Sequence, residues 1–231
     1  MAQTEIGCIK ADLHVHTCYS PDSLTSLKRV IETAHRRGLD KVAITDHNRL
    51  EGALRLREMA PELVIVGEEI RTTKGELLCF FLEEEVPGGL SPEETIARVR
   101  DQGGIVGISH PMDQVRREAM GKGALARIRD QLDCVEVFNA RCLLAMDNRR
   151  VAVWAAELGL PGTAGSDAHH AMEIGRAYVE MPPFTGREDF LEKLAQGRIQ
   201  AHLSPLWVHL LSTWAKIRKH LSSPPDSSGG R

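Results

Sequence analysis

The sequence contains no Cys-x-x-Cys pair, no apolar run of membrane-spanning length and no marked excess of either charge. The five cysteines, Cys8, Cys18, Cys79, Cys134 and Cys142, are scattered and odd in number. That argues against a disulfide framework and for reduced thiols in a cytoplasmic setting. The N-terminus lacks a charged start followed by an apolar stretch, so no signal peptide is expected. A net charge of −3 gives no global pull towards nucleic acid or an anionic membrane. Aromatic residues are scarce, at two Tyr, three Trp and five Phe. Base stacking would therefore rest on Tyr19 or Phe138.

What is present is a regular alternation of short apolar runs and helical patterns, the signature of β-α units around a largely parallel sheet. Strands are expected at 6–13, 41–45, 62–66, 77–82, 105–109, 134–138 and 160–164, and helices at 25–37, 50–59, 92–102, 143–158 and 187–196. The helix at 92–102 is well punctuated. Ser91 caps it, Pro92 fits its first turn, Glu93 and Glu94 suit its dipole, and Gly103-Gly104 ends it. A chain of 231 residues with this pattern reads as one α/β domain over residues 1–203. Residues 204–221 then form an amphipathic helix with Leu210, Trp214, Ile217 and Leu221 along one stripe. It is expected to dock on the domain, with a partner or a membrane surface as alternatives. Residues 222–231, rich in Ser, Pro and Gly, are expected to be disordered.

The polar residues gather where strands end, the rim at which parallel α/β folds bind ligands. DLHVHT places His14 and His16 one residue apart, so a strand turns both rings to one face. Asp22 follows in the loop. The later strands are followed by Asp46-His47, Glu68-Glu69, His110, Asn139 with Arg141, and Asp167 with His169. Five of ten histidines thus arrive at one rim together with several carboxylates. Imidazole and carboxylate without thiolate point to a shared site for Mn, Zn or Fe. Several carboxylates favour more than one ion, since a carboxylate can bridge two.

In this order DLHVHT, ITDHN, GEEI, SHP and GSDAH resemble the PHP family, named for polymerases and histidinol phosphatases, over residues 9–200. The resemblance implies a distorted (β/α)7 TIM-like barrel that hydrolyses phosphate esters with two or three divalent ions, manganese first and zinc, iron or magnesium as alternatives. It also implies roles. His14, His16, Glu69 and Asp167 would hold one ion, and Glu69 would bridge to a second held by His110. Asp22, His47 and His169 would hold a third. Within GEEI the family pattern selects Glu69 over Glu68. Many small relatives carry a histidine at the position of Glu76, which is read either as a ligand for a harder ion or as an exposed strand-start residue.

A bridging water made nucleophilic between two ions would attack the phosphorus. Arg141, then Arg116, Arg117 and Arg176, are the candidates to hold the developing phosphoryl charge. His170 is a candidate proton shuttle. Asp12 and Asp46 would orient imidazoles or serve as cap and loop residues. The expected partner is a small phosphorylated substrate, a nucleotide or a short oligonucleotide, with nucleotides slightly preferred because the small relatives act on them. The alternatives are a non-catalytic metal-stabilised module that regulates a partner, and a metal-dependent amidohydrolase on a related barrel.

Overall fold

A computed structural model describes residues 7–113, 115 and 119–222. Nine strands form one sheet in the order β7-β6-β5-β4-β3-β2-β1-β8-β9. They are β1 (Ile9–Val15), β2 (Lys41–Ile44), β3 (Val64–Thr72), β4 (Gly75–Phe80), β5 (Ile105–Ile108), β6 (Cys134–Asn139), β7 (Gly162–Gly165), β8 (Ala177–Met181) and β9 (Arg198–Ala201). The strands β1, β2 and β3 are parallel, as are β5, β6 and β7, while β4 runs antiparallel between the two sets. The sheet curls until the segment after β7 meets the end of β1: the His16 amide donates to the Ala168 carbonyl at 2.9 Å, and Val15 bridges Ala168 in parallel. The result is a nearly closed barrel-like sheet in a mixed α/β domain, with the carboxyl ends of six parallel strands at one rim.

The helices are α1 (Leu27–Arg37), α2 (Glu51–Met59), α3 (Pro92–Asp101), α4 (Lys122–Ile128), α5 (Ala145–Leu158), α6 (Arg187–Leu194) and α7 (Val208–Ser222). Local sequence sets their ends. Ser26 and Ser91 cap α1 and α3, the latter with a reciprocal Glu94 bond, and Gly38 and Gly159 close α1 and α5 in left-handed conformation. Buried residues of the helices meet one face of the strands, with Val42, Ile44, Val64 and Val66 among them. The opposite strand face carries Leu13, Ala43, Ile65, Phe80 and Cys134, packed with Phe190 of α6. This second cluster fills the barrel.

Three elements were not legible in the sequence. The strands β8 and β9 extend the sheet antiparallel from β1 beyond the last expected strand, and α4 lies in a stretch expected as loop. β3 also runs past Val66 to Thr72, because β4 pairs with it antiparallel from Gly67↔Phe80 to Thr72↔Gly75. Glu68 and Glu69 therefore lie inside a strand. The 222–231 tail lies outside the described residues apart from Ser222.

Candidate metal centre

The register of β1 shifts between Asp12 and Val15, a bulge that breaks strict alternation. His14 and His16 leave this segment on one face, and both are fully buried. Their Nε2 atoms are 3.0 Å apart. Glu69 Oε2 lies 3.3 Å from each, and Asp167 Oδ1 lies 3.6 Å from His14 and 3.3 Å from His16. A tetrahedral ion held at about 2.0–2.1 Å by N and O donors needs donor separations of roughly 3.3–3.4 Å, so this set matches one coordination sphere.

The Glu69 carboxylate reaches two neighbourhoods. Its Oε2 also lies 3.1 Å from His47 Nδ1, yet makes no hydrogen bond among the described residues despite three surrounding ring nitrogens. Its Oε1 accepts from the Ser109 hydroxyl at 2.5 Å and lies 3.2 Å from His110 Nε2. Glu76 joins this second neighbourhood, with Oε2 3.6 Å from His110 Nε2 and Oε1 3.8 Å from His47 Nδ1. It is buried and faces the donors rather than solvent. A third set follows from Asp22, whose Oδ2 is 3.2 Å from His169 Nε2 and 3.5 Å from His47 Nε2. All nine residues expected as ligands converge on one pocket of donors.

Other residues aim these rings. Glu136 Oε1 lies 2.8 Å from His14 Nδ1, and Ser20 Oγ lies 3.0 Å from His16 Nδ1. His169 Nδ1 lies 2.8 Å from the Asp167 carbonyl oxygen, turning Nε2 to Asp22. Asn139 Nδ2 donates to both Glu136 and Asp167. Two donors sit on unusual backbone: His110 at φ 27° and Asp167 at φ 50°, where non-glycine residues are uncommon. Both follow strand ends, and the sharp turn throws each side chain inward. Glu136 was not singled out by sequence reasoning, although an acid within the apolar run CVEVF was a usable signal.

The charges are those of a cation site. Burial opposes protonation of His14, but Glu69, Glu136 and Asp167 outweigh it and hold the ring well above its ordinary value. Burial likewise opposes protonation of His16, and Asp167 and Glu69 push it up to about 9. Burial dominates at His169, lowering it to about 3. Burial would raise Glu69, yet the surrounding rings, His14 and His47 first, hold it well below the carboxylate range. Carboxylates that pull protons onto buried imidazoles are seeking positive charge.

Above the buried donors lies a cleft of about 290 Å³ lined by Asp22, His47, Glu76, His169, Arg71, Arg141, His209, Ser212 and Lys216. The helix α7 covers one side. Lys216 Nζ is 3.3 Å from Asp22 Oδ2, and Lys219 Nζ donates to the Cys18 carbonyl at 2.6 Å and to the Ser20 carbonyl. Arg141 Nη2 donates to Ser212 Oγ at 2.9 Å, and Nε lies 3.5 Å from Glu173. Its Nη1 makes no hydrogen bond among the described residues. The helix docks, but not by the expected stripe: Val208 and Ala215 are buried, whereas Leu210, Trp214, Ile217 and Leu221 are exposed.

Several expectations change. His170 is exposed and lines a separate hollow with Arg29 and Trp214, outside the cleft, because the turn after His169 directs it outward. Arg176 donates to the Leu203 carbonyl and is not among the cleft residues. Arg116 and Arg117 lie outside the described residues. Asp46 binds the Thr17 amide and hydroxyl, and Asp12 binds Ser166 and the Gly175 amide, so both tie loops together. Phe138 packs against the barrel cluster and Arg55 lies over the Tyr19 ring, so neither ring lines the cleft.

The family described as PHP domain matches residues 12–110, and the one described as PHP-associated matches residues 145–199. An uncharacterized protein of Methanocaldococcus jannaschii is 42% identical over 146 residues, which cover 57% of this chain and 82% of that protein. A structure from Bifidobacterium adolescentis, proposed to be a metal-dependent phosphoesterase, superposes with a TM-score of 0.61 at 20% identity, covering 81% of this chain and 96% of that one. The lesion-specific endonuclease of Pyrococcus furiosus superposes with a TM-score of 0.57 at 16% identity, covering 83% of this chain and 57% of that one. At such identities these two show a shared fold.

Proposed function

The chain belongs to the PHP family, and from that premise we propose that it is a metal-dependent phosphoesterase acting on small phosphomonoesters. The observation that carries this reading is the division of Glu69, with Oε2 among His14, His16 and His47 and Oε1 beside His110. It places one carboxylate between two donor sets, and Asp22 with His169 and His47 offers a third. Divalent ions held there would polarise phosphoryl oxygens and make water nucleophilic near neutral pH.

The chain's own residues supply the rest. Glu136, Ser20 and the Asp167 carbonyl fix which ring nitrogen of His14, His16 and His169 faces inward. Arg71, Arg141 and Lys216 line the cleft and suit the phosphate's negative charge, and the Arg141 Nη1 group has hydrogen-bonding capacity to spare. The cleft is small and among the described residues no Phe, Tyr or Trp lines it, which favours a compact phosphorylated metabolite over a stacked nucleotide end.

The test is turnover by the full chain, stripped of metal and reloaded in turn with Mn, Zn, Fe or Mg. The panel holds aryl phosphomonoesters, aryl phosphodiesters, 5′-phosphorylated oligonucleotides and amides. Metal-dependent turnover of monoesters in preference to diesters is expected. Preference for the oligonucleotide would replace the substrate class, and hydrolysis of amides alone would overturn the phosphoesterase reading.

A further inference from the structure

The helix α7 lies beyond both matched segments, the second of which ends at residue 199. It contributes Ser212, Lys216 and Lys219 to the body of the domain through one face. Among the described residues its other face is largely exposed, with Trp214 alone reaching the hollow beside His170 and lying under Arg218. On that face Leu210 is 70% exposed, Trp214 54%, Ile217 53% and Leu221 79%, and in the turn just before the helix Leu206 is 69% and Trp207 48% exposed. Burial normally turns such a stripe inward, and here the inward positions are taken by residues that touch the site loops.

The spacing of the exposed residues is informative. Leu210, Trp214, Ile217 and Leu221 follow one another at intervals of four, three and four, alternating d and a positions, and Trp207 in the preceding turn keeps the same spacing. Within α7 the exposed apolar residues stand only at a and d, because Leu211 at e is half-buried in the hollow beside His170 and Ala171; such a stripe is narrow and is the seam by which a helix packs on another helix. A helix lying in a bilayer interface presents a wider apolar face. The flanking e and g positions are Leu211, Arg218, Thr213 and His220, with no acid among them. In an antiparallel pair the e positions face each other, which sets Arg218 against the other copy's Leu211 and keeps the arginines apart.

We infer that two copies of this chain associate through α7, the two helices packing antiparallel about a two-fold axis along the Trp207–Leu221 seam. Isologous pairing closes on itself and needs no second surface. The exposed parts of Leu206, Trp207, Leu210, Trp214, Ile217 and Leu221 amount to on the order of 800 Å², about what each partner of a standard interface buries. Pairing would also hold α7 against the cleft, because Lys216, Lys219 and Ser212 occupy its opposite face.

The test is sedimentation velocity of the full chain over a concentration series, with Ile217→Glu as the variant and circular dichroism to confirm its fold. A wild-type dimer and a folded Ile217→Glu monomer are expected. Leu210→Cys and Leu221→Cys chains, in a Cys8→Ser, Cys18→Ser background, should form a disulfide with each other but not with themselves. A dimer unaffected by Ile217→Glu overturns the interface. So does a wild-type chain that stays monomeric, whether or not it sediments with phosphatidylglycerol vesicles; binding to those vesicles would assign the stripe to a lipid surface instead. Cross-linking of Leu210→Cys with itself overturns the antiparallel arrangement. Each readout is independent of phosphoesterase activity.

Discussion

Glu136 lies beneath His14 with its Oε1 2.8 Å from Nδ1, and both side chains are buried from solvent. The same carboxylate accepts the His110 amide through Oε2 at 2.8 Å. One acid in mid-strand thus sets the ring direction of one donor and the backbone of another. Glu136→Gln keeps the shape and removes the charge. Metal affinity should fall by about 10–100-fold, as for other residues that orient ligating imidazoles. Calorimetric titration of the stripped chain with Mn or Zn checks this, and unchanged affinity would remove Glu136 from that role.

Cation binding should release protons. His16, pushed up to about 9 once the acids outweigh burial, is protonated at neutral pH while the donors hold no ion, and His14 is held well above its ordinary value too. Both rings must lose protons to ligate. Affinity should therefore climb with pH until about 9, and titrations near pH 7 should give heats that vary with the buffer's ionisation enthalpy. For the ion-free chain the sign is opposite. The stability that protonated His16 contributes is complete below its ordinary value and is lost as pH rises through about 9.

Lys216 sets an ammonium group 3.3 Å from Asp22, beside the donors His47 and His169. Lys216→Met removes a positive neighbour of that set. Binding of a divalent ion there should tighten several-fold, while KM for a phosphomonoester should rise more than kcat falls. Metal titration and steady-state kinetics of the same preparation separate the two effects.

Gly165 packs directly on the backbone of β1. A Cβ there would run into Cβ and N of His14. Gly165→Ala should cost about 1–3 kcal/mol, as overpacked cores do, and should weaken metal binding by pushing β1 out of place. Thermal unfolding and metal content report both. An unchanged melting temperature would show that β1 can yield at no cost.

Much of this was legible because each donor follows or ends an apolar strand and is separated from the next donor by a helix. His14, His47, His110 and Asp167 could be assigned to one rim from that rhythm alone. Glu69 was selected by a family pattern, and its place inside β3 depends on pairing with β4, which no local signal announces. Glu136 was missed because its role is defined by residues 122 positions away in the chain. The stripe on α7 was visible, but its direction was not. Periodicity identifies an apolar face without saying what it meets, and here tertiary contacts of Lys216, Lys219 and Ser212 decided which face turned inward.

The closure of the sheet has a consequence for assembly. The first two donors lie at positions 14 and 16 and the last at 167 and 169, brought together where β1 meets the segment after β7. A nascent chain still lacking its final third has histidines but no complete cage, so it has little to trap a cation prematurely. Once the ends join, every bound ion counts against unfolding by mass action, worth about 2.7 kcal/mol at a hundredfold excess over its dissociation constant. Metal supply would then govern how long the finished molecule survives in addition to how fast it works.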